Sequence, residues 1–193
     1  MQTIAIPLII RLVAQAGLFC FTMISWVAPA HRVWLPPSRN SWQFYATWFL
    51  SWVSLSGVFL LALLGGNSLG LPAWLRAGLG VPLLGLGAPL IAWAFRALTI
   101  STTLGLPGAF VRGGPYRFSR NPQYLGTCIY LAALVVLSGS HVAAVGCVAV
   151  GLWLFVTPFV EEPWLSARYG AEYDVYRKAV PRFLGFRQLR AAA

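Results

Sequence analysis

The chain has 193 residues, of which 59% are hydrophobic and only 9% charged, and its mean hydropathy is +0.72. That composition excludes a soluble globular domain and reads as one compact polytopic membrane domain, residues 1–193. The net charge of +10 follows from topology and anionic headgroups; no soluble basic domain exists to hold nucleic acid.

A transmembrane helix needs about 20 predominantly apolar residues. Runs at 5–28, 44–64, 78–98 and 141–160 are long enough, and 125–137 is apolar but short. The first run lacks a basic leader, carries Arg11 inside it and is too long for a signal-peptide core, so it reads as a retained helix. A Trp/Pro/Arg loop, Arg32 to Trp42, leads to the second run, and a Gly/Asn turn, Gly65 to Leu71, leads to the third. Trp26, Trp34, Trp42, Trp48 and Trp74 fall near expected interfaces and read as aromatic-belt anchors. Pro82 and Pro89, with Gly80, Gly85 and Gly87, predict a kinked third helix closely approached by neighbours or by a ligand. These three helices make a scaffold to residue 98, and residues 99–193 form the second portion of the domain.

Residues 99–120 are rich in Gly, Pro and Thr and predict a connector whose free N–H groups suit a ligand. The run 125–137 spans about 20 Å as a helix, too little to cross alone. Ser138 to His141 separates it from the next run, which predicts a helical hairpin packed inside the protein. A short tail helix is expected to start with Pro163 in its first turn and to stop at Pro181. Leu165, Tyr169, Tyr173 and Tyr176 share one stripe of it, placed to cover the connector and wall a pocket. The expected fold is therefore all-α: a bundle of about five membrane helices, the fourth and fifth forming the hairpin, with a C-terminal helix on the cytoplasmic side. Arg32, Arg39, Arg96, Arg112, Arg117, Arg120, Arg168, Arg177, Lys178, Arg182, Arg187 and Arg190 share one face, leaving only Arg11 and Arg76 elsewhere. The positive-inside rule makes that face cytoplasmic and the N-terminus external, as in a multi-pass protein of a bacterial inner membrane.

Residue types set several chemistries aside. His31 and His141 are far apart, so no metal site is expected, and Cys20, Cys128 and Cys147 read as small buried hydrophobes. Lys178 is the only lysine and no Gly-rich phosphate loop precedes it. No Ser/His/Asp or Cys/His set can be assembled economically. All four acids fall between Glu161 and Asp174, and three arginines lie between Arg112 and Arg120. Charge this scarce beside membrane segments serves a site.

Gly114-Pro115-Tyr116-Arg117, Arg120-Asn121-Pro122-Gln123-Tyr124-Leu125-Gly126, Glu161-Glu162, Tyr169-Gly170, Glu172-Tyr173, Tyr176 and Val180-Pro181-Arg182 form an ordered set. Over residues 105–185 this set resembles the C-terminal signature of integral-membrane methyltransferases, the isoprenylcysteine carboxyl methyltransferase and phospholipid N-methyltransferase relatives. The resemblance implies S-adenosylmethionine as cofactor, held by Gly108, Ala109, Phe110, Val111, Tyr116, Asn121, Pro122, Gln123 and Tyr124. A sulfonium, an amino-acid zwitterion and an adenine ring need aromatic faces, polar partners and close backbone, and Arg120 adds to that supply. Gly85-Leu86-Gly87 is similar to a Gly-x-Gly of the phospholipid branch, though ordinary helix packing explains it equally.

Methyl transfer is an in-line displacement whose protein contribution is alignment and exclusion of water. Glu161 matches a family glutamate at the acceptor site, and Glu162 shares that catalytic role or caps the next helix. Tyr173, Tyr176 and Arg182 complete the implied acceptor side. Two departures stand out: Asn121 replaces a usual His, and Thr157 replaces an arginine of the prenylcysteine enzymes, which weakens the case for a prenylcysteine carboxylate. The expected partners are the bilayer and a lipophilic acceptor such as a lipid amine, an isoprenoid or a small hydrophobic thiol or acid. An NADPH-dependent membrane reductase of the sterol-reductase type and a non-catalytic lipid-binding protein are the alternatives.

Overall fold

The structure, a computed structural model, describes residues 2–184; Arg187 and Arg190 of the orientation argument lie outside them. Seven α-helices follow in order: α1 Gln2–Val27, α2 Trp42–Leu64, α3 Ala73–Ala97, α4 Ile100–Thr103, α5 Pro122–Ser138, α6 His141–Tyr169 and α7 Ala171–Ala179. No strand occurs among the described residues. α1, α2, α3 and α6 are each long and apolar enough to cross a membrane. The all-helical membrane bundle expected from the sequence is the fold observed.

Local chemistry sets the helix ends. Ser41 and Ser140 are N-caps whose hydroxyls accept from the N–H groups of Phe44 and Ala143, both at 3.3 Å. Pro122 starts α5 at the position where a missing N–H costs nothing, and Gly139, at φ +64°, ends it. The hairpin reaches further than its apolar run suggests. α5 begins a turn earlier, at Pro122, and its apex meets the α2–α3 turn: Leu69 N donates to the Gly139 carbonyl at 2.8 Å, and His141 pairs with Ser68. α5 therefore spans the bundle from end to end beside α6.

The tail differs from expectation. α6 runs unbroken through Pro158 and Pro163 to Tyr169, and the chain breaks at Gly170, at φ +59°, before α7. Prolines are tolerated inside membrane helices where neighbouring groups compensate. Glu162 therefore sits within a helix and caps nothing.

α1, α2 and α6 pack together, burying Leu18, Val58, Cys147, Val150, Trp153 and Leu154, and α5 adds Tyr124 and Leu131 to that core. α3 lies outside this group and packs on α5. Its close approach is backbone to backbone: a Cβ on Gly87 would lie 2.7 Å from Tyr130 N and 2.9 Å from the Gly126 oxygen. Gly85 has nothing within 4 Å. Helix packing thus accounts for Gly87, and neither glycine lines the cavity described below. The loops at 28–41, 98–121 and 170–184 gather at one end of the bundle, with every described basic residue except Arg11 and Arg76.

Candidate active site

At that end a cavity of about 280 Å³ opens between α2, the end of α3, the connector 104–121, α5, α6 and α7. One lobe is polar and aromatic, with Phe110, Tyr116, Arg120, Asn121, Gln123, Tyr169, Tyr173 and Tyr176. The other is apolar and runs toward the middle of the bundle past Trp48, Leu55, Val150, Trp153 and Leu154. Glu161 and Tyr124 stand between the two.

Glu161 is held through a single oxygen. Its Oε1 accepts from the Tyr124 hydroxyl at 2.6 Å and from Trp34 Nε1 at 2.8 Å, while Oε2 accepts no hydrogen bond among the described residues. Trp34 is delivered by a loop that α1 itself pins, because Ser25 Oγ accepts from the N–H groups of Val33 and Trp34 at 2.9 and 2.8 Å. Leu35, next along, sits at φ +59°, a strained conformation for a branched side chain, and also lines the cavity. Trp34 then packs edge-on to Trp153 at 5.5 Å, and Trp153 donates to Thr22 at 2.8 Å. The orientation of one carboxylate is thus fixed by α1, α5 and α6 together.

Glu162 is held differently. Its side chain is buried, Arg182 clamps it with Nε at 2.6 Å and Nη2 at 2.8 Å, and Arg120 Nη1 lies at 3.1 Å. Bidentate arginine pairing of this kind is strong and directional. Its hydrogen bond to Glu162 raises the Arg182 pKa further, so the clamp stays charged. Arg182 also lies 3.8 Å over the Phe159 ring. Around it, the Pro181 carbonyl accepts from Arg120 N at 2.9 Å and the Arg182 carbonyl from Asn121 Nδ2 at 3.0 Å. The chain end 180–183 is thereby strapped across the start of α5.

α7 roofs the polar lobe. Phe110 stacks on Tyr169 at 5.1 Å and meets Tyr173 and Tyr176 edge-on at 5.7 and 5.2 Å. Tyr169 donates to the Gly108 carbonyl at 2.9 Å and Tyr176 to the Tyr116 carbonyl at 2.7 Å, which ties the connector down. Burial raises the phenol pKa at Tyr116 and Tyr176, and pushes Tyr173, further opposed by Glu162, up to about 12. All three stay neutral hydroxyls at physiological pH.

Four polar atoms of cavity-lining residues are buried without a hydrogen-bond partner among the described residues: Arg120 Nε and Nη1, Tyr116 Oη and Gln123 Oε1. Arg120 Nη1 makes an ionic contact to Glu162. Buried polar groups in folded proteins are almost always satisfied, and leaving one unmade costs about 1–3 kcal/mol. Arg120, Tyr116 and Gln123 all line the cavity, so a polar ligand there would meet groups the fold leaves unsatisfied.

Of the site residues expected from sequence, Ala109, Phe110, Val111, Tyr116, Arg120, Asn121, Gln123, Tyr124, Glu161, Glu162, Tyr173 and Tyr176 line the cavity. Gly108, Pro122 and Arg182 do not. A Cβ on Gly108 would collide with Thr102 Oγ1, Pro122 is buried at the head of α5, and Arg182 stands behind Glu162. Trp34 and the α2 face at Trp48, Ser51 and Leu55 went unforeseen. The aromatic-belt reading absorbed both tryptophans, and nothing local in the sequence ties Trp34 to a glutamate 127 positions away.

A protein-family model for phospholipid methyltransferases matches residues 75–172, about half of the chain, from the start of α3 into α7. No curated protein and no solved structure matches it.

Proposed function

The chain belongs to the phospholipid methyltransferase family, and on that premise we propose that it transfers a methyl group from S-adenosylmethionine to a lipophilic acceptor drawn from the bilayer. The observation that carries this reading is one cavity lined both by the orphaned atoms of Arg120, Tyr116 and Gln123 and by a glutamate with one uncommitted oxygen. These residues fit the cofactor. Arg120 Nε and the Tyr116 hydroxyl suit its carboxylate, Gln123 Oε1 suits its ammonium, and Phe110 with the α7 tyrosines offers ring faces to adenine and sulfonium. When bound, S-adenosylmethionine supplies an electrophilic methyl group on a cationic sulfur.

The chain's own part is positioning and proton handling. Trp34 and Tyr124 fix Glu161 Oε1, leaving Oε2 to orient the acceptor and to take the proton that its nucleophile releases as the new bond to carbon forms. Glu162, Arg120 and Arg182 position the connector against α5 and touch no acceptor. α2 packs on α1 and α6, away from α3, so Trp48, Leu55, Phe95 and Leu98 border an apolar approach through which a lipid tail passes. The basic end of the bundle, and the site with it, faces the cytoplasm.

The test is transfer of a tritiated methyl group from S-adenosylmethionine to total bacterial lipid, with the full chain in nanodiscs. Wild type labels an organic-extractable product, and Glu161→Gln lowers the rate about 100-fold, the typical size of a general-base contribution. Oxidation of NADPH by the same lipids with no methyl label would overturn the reading in favour of a reductase.

A further inference from the structure

Arg11 takes no part in that chemistry. It lies near the other end of the bundle, opposite Gly57 of α2 and Gly146 of α6, about 22 Å along α6 from Glu161. Its side chain is fully buried, and two glycines make its room: a Cβ on Gly57 would meet Arg11 Cβ and Cγ at 2.7 Å, and one on Gly146 would meet Nε at 3.4 Å. Nη2 donates to the Gly146 carbonyl at 2.8 Å and, weakly, to Gln15 Oε1 at 3.4 Å. Ser54 Oγ donates to that same Gln15 oxygen at 2.7 Å.

What remains in this cluster is one-sided. Arg11 Nε, Arg11 Nη1 and Gln15 Nε2 are buried without partners among the described residues, and all three are donors. Whatever meets them must accept hydrogen bonds. It must also be negative, because every acid of the chain lies between Glu161 and Asp174. Water satisfies N–H groups but leaves the charge, and a buried charge without a partner is costly by several kcal/mol. Val58, Leu61 and Ala143 are at most 1% exposed and Gln15 is 2% exposed, so the cluster is enclosed and favours a small ion over a phosphate headgroup.

We infer that the α1–α2–α6 interface holds a small monovalent inorganic anion of the chloride class, bound by Arg11 Nε and Nη1 and Gln15 Nε2. The ion neutralises the arginine and joins the three helices that carry the rest of the bundle. Such a ligand stabilises the folded chain in proportion to RT ln(1 + [L]/Kd).

The test is thermal unfolding of the full chain in zwitterionic nanodiscs at constant ionic strength, with chloride or bromide exchanged for gluconate. Wild-type Tm rises saturably with halide by several degrees, the rise disappears in Arg11→Met, and it is reduced in Gln15→Leu. Should Arg11→Met fail to fold, chlorine-NMR line broadening by wild type, lost in Gln15→Leu, reports the same site. Absence of halide response and of broadening in wild type, or an equal response in all variants, overturns the inference.

Discussion

Glu161 and Glu162 are adjacent yet held by different partners, because successive residues on an α-helix are rotated by about 100° and so face different neighbours. Both line the cavity, but Glu161 is held between Trp34 and Tyr124, whereas Glu162 is engaged by the Arg120–Arg182 clamp. Their substitutions should separate accordingly. Glu162→Gln removes one partner from a buried ion cluster and is expected to cost about 3–5 kcal/mol of stability, read as a fall in Tm. Glu161→Gln should leave Tm within the scatter typical of mild changes and act on turnover. A similar loss of Tm in both would contradict the division. The sequence made the pair, Tyr124 and the arginines legible through their ordered spacing. It did not reveal which glutamate was free, since that depends on Arg182 and Trp34, brought in from 20 and 127 positions away.

Among the elements, the apolar runs located the membrane helices because desolvation of a backbone in lipid leaves little choice but a helix. Ends were less legible. Pro163 suggests a start, but α6 passes through it, and the break comes at Gly170, where a left-handed turn needs no Cβ. The glycines of α3 likewise look equivalent in sequence and differ in packing. Gly87→Ala drives a methyl into the backbone of α5 and should cost about 1–3 kcal/mol. Gly85→Ala meets nothing within 4 Å and should be neutral or gain about 0.5–1 kcal/mol from helix propensity. Denaturation of the two variants in matched detergent distinguishes them, and equal destabilisation would contradict the α3–α5 packing.

For the molecule as a whole, sparse charge concentrates at one end of an apolar bundle, and the cavity opens there with polar residues toward the loops and apolar residues toward the middle of the bundle. That polarity matches a reaction between a water-borne, charged cofactor and a lipid-borne acceptor. The proposed function requires the polar lobe to be the cofactor site. Calorimetric titration of the full chain with S-adenosylhomocysteine tests it most directly. Binding is expected in wild type, weakened about 10-fold or more in Tyr116→Phe and Gln123→Leu, whose hydrogen-bonding groups would meet a charged ligand. Arg112→Ala, which removes an exposed ion pair to Glu172, should leave affinity unchanged. No binding to folded wild-type protein, or one affinity across all these variants, would contradict the account.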